Sequence, residues 1–176
     1  MNSSDLARRV DAVCRLTGRF VLRSGRVADE YFDKYQFEGD PALLREIAQA
    51  LRPLVPDGTE VLAGLELGGI PIATALALAT GLPAAFVRKQ AKTYGTARLA
   101  EGPPLAGRRL TVVEDVVTSG GQVVASVRQL RELEAVVGDA LCVIDREEGG
   151  TEALAAEGMR LHALLTRTDL ERAGGR

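Results

Sequence analysis

The sequence is poor in the features that mark metal-binding, secreted and nucleic-acid-binding proteins. Its 176 residues include one histidine and two cysteines, and Cys14 and Cys142 follow no CxxC or CxxH spacing. Both cysteines have apolar neighbours, so we expect small buried side chains in a reducing cytosol. The net charge of −2 provides no basic surface for nucleic acid or an anionic membrane, and any positively charged site must be local.

Long hydrophobic runs are also missing. The most apolar stretch, residues 69–82, is too short to cross a membrane and contains Pro71. The first residues show no basic region followed by an apolar one, so we expect no signal peptide and a cytoplasmic protein. With 46% hydrophobic and 26% charged residues, the composition predicts one globular domain over residues 1–176.

The N-terminal residues predict helices around a short hairpin. Residues 3–5 resemble a helix N-cap, and apolar residues at helical spacing follow as far as Gly18. Two strands are expected at 20–22 and 31–35, joined by a turn at Ser24-Gly25. A second helix is expected from Asp40-Pro41 to about Pro53, with Asp40 as its N-cap.

From about residue 60, apolar segments of strand length alternate with helical segments. This pattern predicts an α/β fold with a mostly parallel central sheet covered by helices on both faces. Such sheets bind ligands beyond the carboxyl ends of their strands, where the strand order reverses. We expect strands at 61–64, 84–87, 110–113, 140–144 and 161–165, and helices at 70–80, 121–134 and 151–156.

Residues 90–107 do not fit this alternation. The segment is too long for a passive turn, so we expect a mobile functional loop. It follows Arg88 and Lys89 directly and contains Lys92 and Arg98. Because the net charge is slightly negative, any positively charged site must be local, and these side chains form such a cluster.

The strongest chemical signal is residues 112–121, which read VVEDVVTSGG. An apolar strand ends in Glu114 and Asp115 and then passes through hydroxyl residues and glycines into a helix. Backbone amides at such a turn favour a phosphate, and adjacent carboxylates suit the hydroxyls of a sugar or a hydrated Mg²⁺. Together they outline a ribose 5-phosphate site, although spacing alone also fits an acidic N-cap on an ordinary helix. The P-loop and GxGxxG patterns are absent.

This segment resembles the 5-phosphoribosyl-1-pyrophosphate motif of type I phosphoribosyltransferases. Three further segments are similar to those of orotate phosphoribosyltransferases. Residues 20–26 with 31–34 resemble the N-terminal hood beside the base, and residues 88–95 resemble the catalytic loop R-K-x-x-K-x-H-G. Residues 145–150 resemble the strand end whose arginine binds the orotate carboxylate.

The resemblance implies transfer of phosphoribose to orotate, in the type I phosphoribosyltransferase fold. Residues 1–40 are then the N-terminal helix and hood, and 41–176 the core. The implied catalytic residues are Lys92, Arg88 and Asp115. The implied orotate-binding residues are Arg23, Tyr31, Phe32, Thr118 and Arg146. The implied donor-binding residues are Arg88, Lys89, Lys92, Tyr94, Glu114, Asp115, Val116, Val117, Thr118, Ser119, Gly120, Gly121 and Gln122.

The resemblance also implies a cofactor and a partner. Mg²⁺ is expected to bind mainly through pyrophosphate, with no direct protein ligand and a contact through water to Asp115 left open. A homodimer that shares loop residues across its interface is expected, without nucleic-acid or membrane partners. The sequence departs from the family at Gly68, where lysine is frequent, and at Tyr94, where histidine is usual. We interpret His162, in an apolar strand, as structural.

Two other functions remain open from the residues. A phosphoribosyltransferase for another nucleobase, such as a purine, would share the donor motif but leave Arg146 and the hood unexplained. A regulator that senses phosphoribosyl pyrophosphate without catalysis would keep the motif, but it usually adds a nucleic-acid-binding surface that this chain lacks.

Overall fold

The structure is a computed structural model that describes residues 3–21, 25, 27–90 and 99–175. Its helices cover both faces of a central sheet. They are α1 (Ser3–Cys14), α2 (Tyr35–Gly39), α3 (Pro41–Leu51), α4 (Gly69–Thr80), α5 (Gly121–Glu132), α6 (Gly150–Ala156) and α7 (Arg167–Ala173), with a 3₁₀ turn at Arg52–Leu54.

The strands form two sheets. A two-stranded antiparallel sheet contains β1 and β2, and a six-stranded sheet has the order β5-β4-β3-β6-β7-β8. All neighbours in the larger sheet are parallel except β4 and β5. The strands are β1 (Arg15–Val21), β2 (Val27–Phe32), β3 (Val61–Leu65), β4 (Ala84–Val87), β5 (Ala100–Glu101), β6 (Arg109–Val117), β7 (Val136–Asp145) and β8 (Arg160–Thr166).

The strand order reverses between β3 and β6. From β3 the chain adds β4 on one side, then returns to place β6 on the other side and continues outward to β7 and β8. The carboxyl ends of β3 and β6 therefore flank the crevice in which open parallel sheets bind ligands. The expected α/β architecture is confirmed.

Two apolar layers hold the helices to the sheet. One face packs α1, α3, α4 and α7 against the sheet, and its buried side chains include Val10, Ile47 and Leu76. The other face packs α5 and α6, with Val127 and Leu154 in its core. Asp40 caps α3 as expected, since its Oδ1 accepts hydrogen bonds from two backbone amides of the first turn.

Several predicted boundaries are wrong, and strand pairing explains most of them. The first helix ends at Cys14 rather than Gly18, because residues 15–21 pair with the returning strand of the hairpin. That strand ends at Phe32, and residue 35 begins α2. The sequence analysis missed α2, α7 and β5. Strand β5 lies within residues 90–107, the segment predicted as a loop, and pairs with β4.

The strand β6 extends past its predicted end. It continues through Glu114 and Asp115 to Val117, because Val116 and Val117 pair with β7. Among the described residues, no helix combines the length and apolar character that a membrane crossing requires.

Candidate active site

The turn that follows β6 brings backbone amides to the carboxyl edge of the sheet. Gly120 has a φ of 76°, and a Cβ there would lie 2.8 Å from Leu154 Cδ1, so both backbone and space require glycine. Helix α5 begins at Gly121, directly after the exposed Thr118 and Ser119. Because its N-cap residue is a glycine, no capping side chain competes for the first amides, which favour an anion such as phosphate. We call residues 118–121 the phosphate turn.

Two adjacent carboxyl groups lie inside β6 and are buried. Glu114 is 7% exposed and Asp115 is 0% exposed. Asp115 is held at both oxygens: the Val116 N–H donates to Oδ1 at 2.6 Å, and the Lys34 ammonium lies 2.6 Å from Oδ2. Glu38 of α2 is also buried and adjoins Asp115. We call Lys34, Glu38, Glu114 and Asp115 the acid–lysine cluster.

Burial and neighbouring charge separate the pKa values within this cluster. Desolvation, reinforced by Asp115, raises the pKa of Glu38 to about 9 and that of Glu114 to about 9. Desolvation also opposes ionisation of Asp115, but hydrogen bonds from both glutamates and the Lys34 ammonium outweigh it and lower its pKa. At neutral pH the cluster therefore contains one carboxylate, one ammonium and two neutral carboxyl groups.

The loop between β3 and α4 closes over the cluster. A Cβ on Gly68 would lie 1.7 Å from Asp115 Oδ2 and 2.8 Å from Glu38 Oε1. The carboxyl groups thus occupy the space that a side chain at this position would need. In the same loop, Glu66 Oε1 accepts a 2.6 Å hydrogen bond from the Lys89 N–H, which ties the start of the basic segment to this edge of the sheet.

Arg88 lies beside this loop at the end of β4. Its backbone N–H donates to the Leu99 carbonyl at 2.9 Å, and its Nε lies 4.0 Å from Glu101 Oε1. It lines a cavity of about 200 Å³ together with Glu66 and Ile70. Arg88 and Lys89 therefore lie next to the loop that covers the acid–lysine cluster.

A larger cavity of about 470 Å³ lies where the hairpin of β1 and β2 meets the carboxyl end of β7. Tyr31, Phe32 and Arg146 line it, so the structure brings together three residues predicted to bind orotate. The guanidinium carbon of Arg146 lies 6.0 Å from the centre of the Phe32 ring. Arg15 and Arg167 line the same cavity, each paired with a glutamate that also lines it, Glu30 and Glu171. We call this cavity the base pocket.

Arg146 joins the base pocket to the phosphate turn. Its backbone N–H donates to the Val117 carbonyl at 2.9 Å, next to Thr118. Its Nε lies 3.5 Å from Glu148 Oε1 and, within the described part of the chain, has no hydrogen-bond acceptor although it is buried. A planar cation with a free donor at the pocket wall suits a carboxylate ligand.

Comparison with known proteins identifies this arrangement. No family model matches the chain. An orotate phosphoribosyltransferase of Nocardioides sp. (strain ATCC BAA-499 / JS614) is 54% identical over 168 residues, which cover 96% of this chain and 94% of that protein. The chain belongs to the orotate phosphoribosyltransferase family.

Solved structures of the family share the fold described above. One crystal structure of the orotate phosphoribosyltransferase of Mycobacterium tuberculosis H37Rv has a TM-score of 0.87 and 36% identity, covering 96% of this chain and 98% of that chain. A second structure of that enzyme, in complex with 5-phospho-α-D-ribosyl 1-diphosphate, has a TM-score of 0.82 and 32% identity over the same shares.

Some predicted site residues lie outside the described part of the chain. These are Arg23 of the hood and Lys92, Tyr94 and Arg98 of the basic loop. His162 lies in β8, where its Nε2 is 2.9 Å from Asp139 Oδ1. Among the described residues, no group of three His, Cys, Asp or Glu side chains is arranged to hold a metal ion.

The structure adds residues that the sequence analysis missed. Arg15 and Arg167 line the base pocket, while Lys34 and Glu38 belong to the acid–lysine cluster. The sequence predicts Lys34 only as part of the hood, and its position two residues after β2 gives a weak signal. Its partner is 81 positions away in sequence, and spacing does not reveal such a pair.

Proposed function

We propose that this protein transfers the 5-phosphoribosyl group from 5-phosphoribosyl 1-pyrophosphate to orotate, giving orotidine 5′-phosphate and pyrophosphate. One observation carries the proposal: the 2.9 Å hydrogen bond from the Arg146 N–H to the Val117 carbonyl places the base pocket beside the phosphate turn. A donor on the turn and a base in the pocket are therefore neighbours, as direct transfer requires.

The donor is bound through its 5′-phosphate and its ribose. Amides and hydroxyls of the phosphate turn bind the 5′-phosphate. The structure of the relative from M. tuberculosis in complex with this donor supports the choice of donor. We assign Glu114 and Asp115 to the ribose hydroxyls, because carboxyl oxygens accept hydrogen bonds from a sugar diol. The remaining contacts come from the backbone and side chains of Val116, Val117, Thr118, Ser119, Gly120, Gly121 and Gln122.

The pyrophosphate end of the donor meets the basic segment. Arg88, Lys89 and Lys92 neutralise the charge that develops as pyrophosphate leaves, and Tyr94 donates a hydrogen bond. The glycine at 68 contributes its backbone to the same group. Closure of the segment shields the electron-poor anomeric carbon from water. Lys92 acts chiefly in the transition state, because the charge that it neutralises develops there.

A hydrated Mg²⁺ fits the oxygen-rich edge of this site. Hard cations prefer carboxylate, phosphate and water oxygens, and Asp115 is the ionised carboxylate of the cluster. Asp115 would contact the ion through water, and the donor's pyrophosphate would provide most of its oxygen ligands. When bound, the metal supplies charge stabilisation to the leaving group.

Orotate lies in the base pocket. Arg146 binds its carboxylate through two parallel hydrogen bonds, and Phe32 and Tyr31 pack against the ring. Arg23 and Thr118 complete the polar contacts. The ring nitrogen bonds to the anomeric carbon as the carbon–oxygen bond to pyrophosphate breaks, and the proton of that nitrogen passes to the departing pyrophosphate. Positioning accounts for most of the rate.

The decisive experiment is an absorbance assay on purified protein. Orotate, donor and Mg²⁺ are mixed, and loss of orotate absorbance reports transfer. Hypoxanthine, adenine and uracil in parallel separate orotate from the other bases. Turnover of a purine in preference to orotate would overturn the assignment of the base, and donor binding without turnover of any base would favour the non-catalytic regulator.

We further propose a homodimer that buries the outer face of α4. This helix is apolar around most of its circumference, a pattern typical of a helix covered on all sides. Nevertheless Leu78 is 87% exposed, and Leu67, just before the helix, is 61% exposed. Leu67 directly precedes Gly68, so a second copy that covers this face adjoins the donor site, and we propose that the basic loops reach the neighbouring subunit.

A further inference from the structure

Lys34 connects the hood to the donor site. It follows β2 by two residues, in the short link to α2, and its ammonium lies 2.6 Å from Asp115 Oδ2. The side chain of Lys34 is 34% exposed, whereas that of Asp115 is fully buried. A buried carboxylate needs a counter-charge, and Lys34 is the cation that reaches it.

Gly68 makes this contact possible. Its φ of −67° is one that any residue adopts, so the backbone does not require glycine here. The requirement is spatial, because a Cβ would lie 1.7 Å from Asp115 Oδ2. The carboxylate therefore takes the side-chain space of residue 68, and the cation comes from the hood rather than from that loop.

The charges of the cluster favour a single ion pair. With Glu38 and Glu114 neutral near pH 7, Lys34 and Asp115 are its two charged members. Both neutral carboxyl groups hydrogen-bond to the Asp115 side chain. Removal of the ammonium thus leaves an uncompensated carboxylate next to two carboxyl groups.

We propose that Lys34 is a positioning residue of the phosphoribosyl-donor site, holding the Asp115 carboxylate in the space left by Gly68. The inference rests on the proposed function, since Asp115 is assigned there to the ribose. Lys34 touches neither substrate nor metal in this scheme and acts through Asp115. Its loss affects the donor and spares orotate, although Phe32 of the base pocket lies only two residues away.

The first test compares Lys34→Met and Lys34→Arg with the wild-type protein. We expect Lys34→Met to raise the KM for the donor about tenfold or more and to change the KM for orotate less than about twofold. Lys34→Arg keeps the charge and should recover most of the loss. Arg8→Met removes an exposed cation of α1, paired with Asp5, and should change neither constant.

The second test uses Gly68→Ala, which forces the carboxylate away from its place, with Gly39→Ala as its control. A Cβ at Gly39 meets no atom within 4 Å. We expect Gly68→Ala to weaken donor binding as Lys34→Met does, and Gly39→Ala to have no effect. The double variant Lys34→Met/Gly68→Ala should bind the donor no more than about twofold less tightly than whichever single variant binds it less tightly. Both substitutions disrupt the same interaction, so their effects should not add.

The outcomes separate this inference from the proposed function. Donor binding is also measured by calorimetry with phosphoribosyl pyrophosphate alone, which requires no turnover. Wild-type protein that fails to convert orotate contradicts the proposed function, while the calorimetric comparison still tests Lys34. Unchanged or tighter donor binding by Lys34→Met, or an equal rise in both KM values, overturns the positioning role. If Lys34→Met does not fold, the Gly68→Ala and Gly39→Ala pair provides the test.

Discussion

Arg146 shows how one residue relates two parts of a site. Its backbone bonds to the strand that leads into the phosphate turn, and its side chain reaches the base pocket over Phe32. The guanidinium is planar and presents two parallel donors, which a lysine ammonium cannot reproduce. The proposed recognition of orotate at this position therefore depends on shape as well as on charge.

We predict that Arg146→Lys raises the KM for orotate at least about tenfold and leaves the KM for the donor nearly unchanged. Steady-state kinetics with each substrate varied in turn provides the measurement. Arg160→Lys is the matched control, since Arg160 is an exposed residue of the edge strand β8 and pairs with Asp139 of β7. Orotate kinetics equal to those of the wild type would remove Arg146 from the base site.

A second prediction at this scale concerns Glu38. Its pKa is about 9 in the folded protein against an ordinary 4.5, so the folded chain retains a proton that the unfolded chain has released. The resulting stability is complete below pH 4.5 and is lost as the pH rises towards 9. The melting temperature of the ligand-free protein should therefore fall across this interval, and Glu38→Gln should flatten the fall.

Calorimetric melting between pH 5 and about 9 tests this expectation. Because Glu114 has a similarly raised pKa, some of the slope should remain in Glu38→Gln. The exposed Glu132→Gln serves as control and should melt in parallel with the wild type. Parallel curves for Glu38→Gln as well would show that Glu38 is ionised in the folded protein.

At the scale of the element, the phosphate turn depends on the passage from β6 into α5. The sequence predicted this turn and its glycines, because an apolar run followed by TSGG is typical of a strand-to-helix turn. It did not predict that β6 includes the acidic pair, since charged residues usually mark the end of a strand. Pairing with β7 overrides that local preference.

Helices α2 and α7 were missed for a related reason. Both are short, with five and seven residues, and their apolar periodicity is too brief to recognise. Lys34 and Glu38 went unrecognised with α2, because their link to Asp115 arises only from the folded chain. The long periodic elements α3, α4 and α5 were located closely.

We predict that Gly120→Ala destabilises the protein by about 2–4 kcal/mol, from left-handed backbone strain together with the collision with Leu154. Gly81→Ala is the matched control, because Gly81 has a φ of 79° but its added Cβ meets no atom within 4 Å. Its loss should be about 1 kcal/mol, the strain alone. Urea unfolding measures both, and equal losses would show that packing against Leu154 is unimportant.

At the scale of the whole molecule, the outer face of α4 is the clearest unsatisfied surface. Leu78 is exposed and Ala75, one turn before it, is half-buried, so together they form an apolar strip that water does not favour. The sequence indicated the apolar helix but not which side of it remains uncovered, since that depends on how α4 packs against α3 and the sheet. The proposed dimer covers this strip.

We predict that Leu78→Glu converts the dimer to a monomer and lowers activity, because it places a charge in the proposed interface. Sedimentation measures the association state, and mixing two inactive variants tests whether loop residues serve the neighbouring subunit. Val136→Glu alters another exposed apolar residue, in β7, and should leave the dimer intact. A wild-type protein that sediments as a monomer would contradict the proposal.

The spacing between Phe32 and Lys34 has a consequence for how the two substrates communicate. The Phe32 side chain lines the base pocket and the Lys34 ammonium pairs with Asp115. Only Asp33 separates the two residues along the chain. Any coupling between the two substrates therefore has a route of two peptide units and requires no moving domain. By thermodynamic reciprocity, whatever orotate does to the affinity for its co-substrate, the co-substrate does equally to the affinity for orotate.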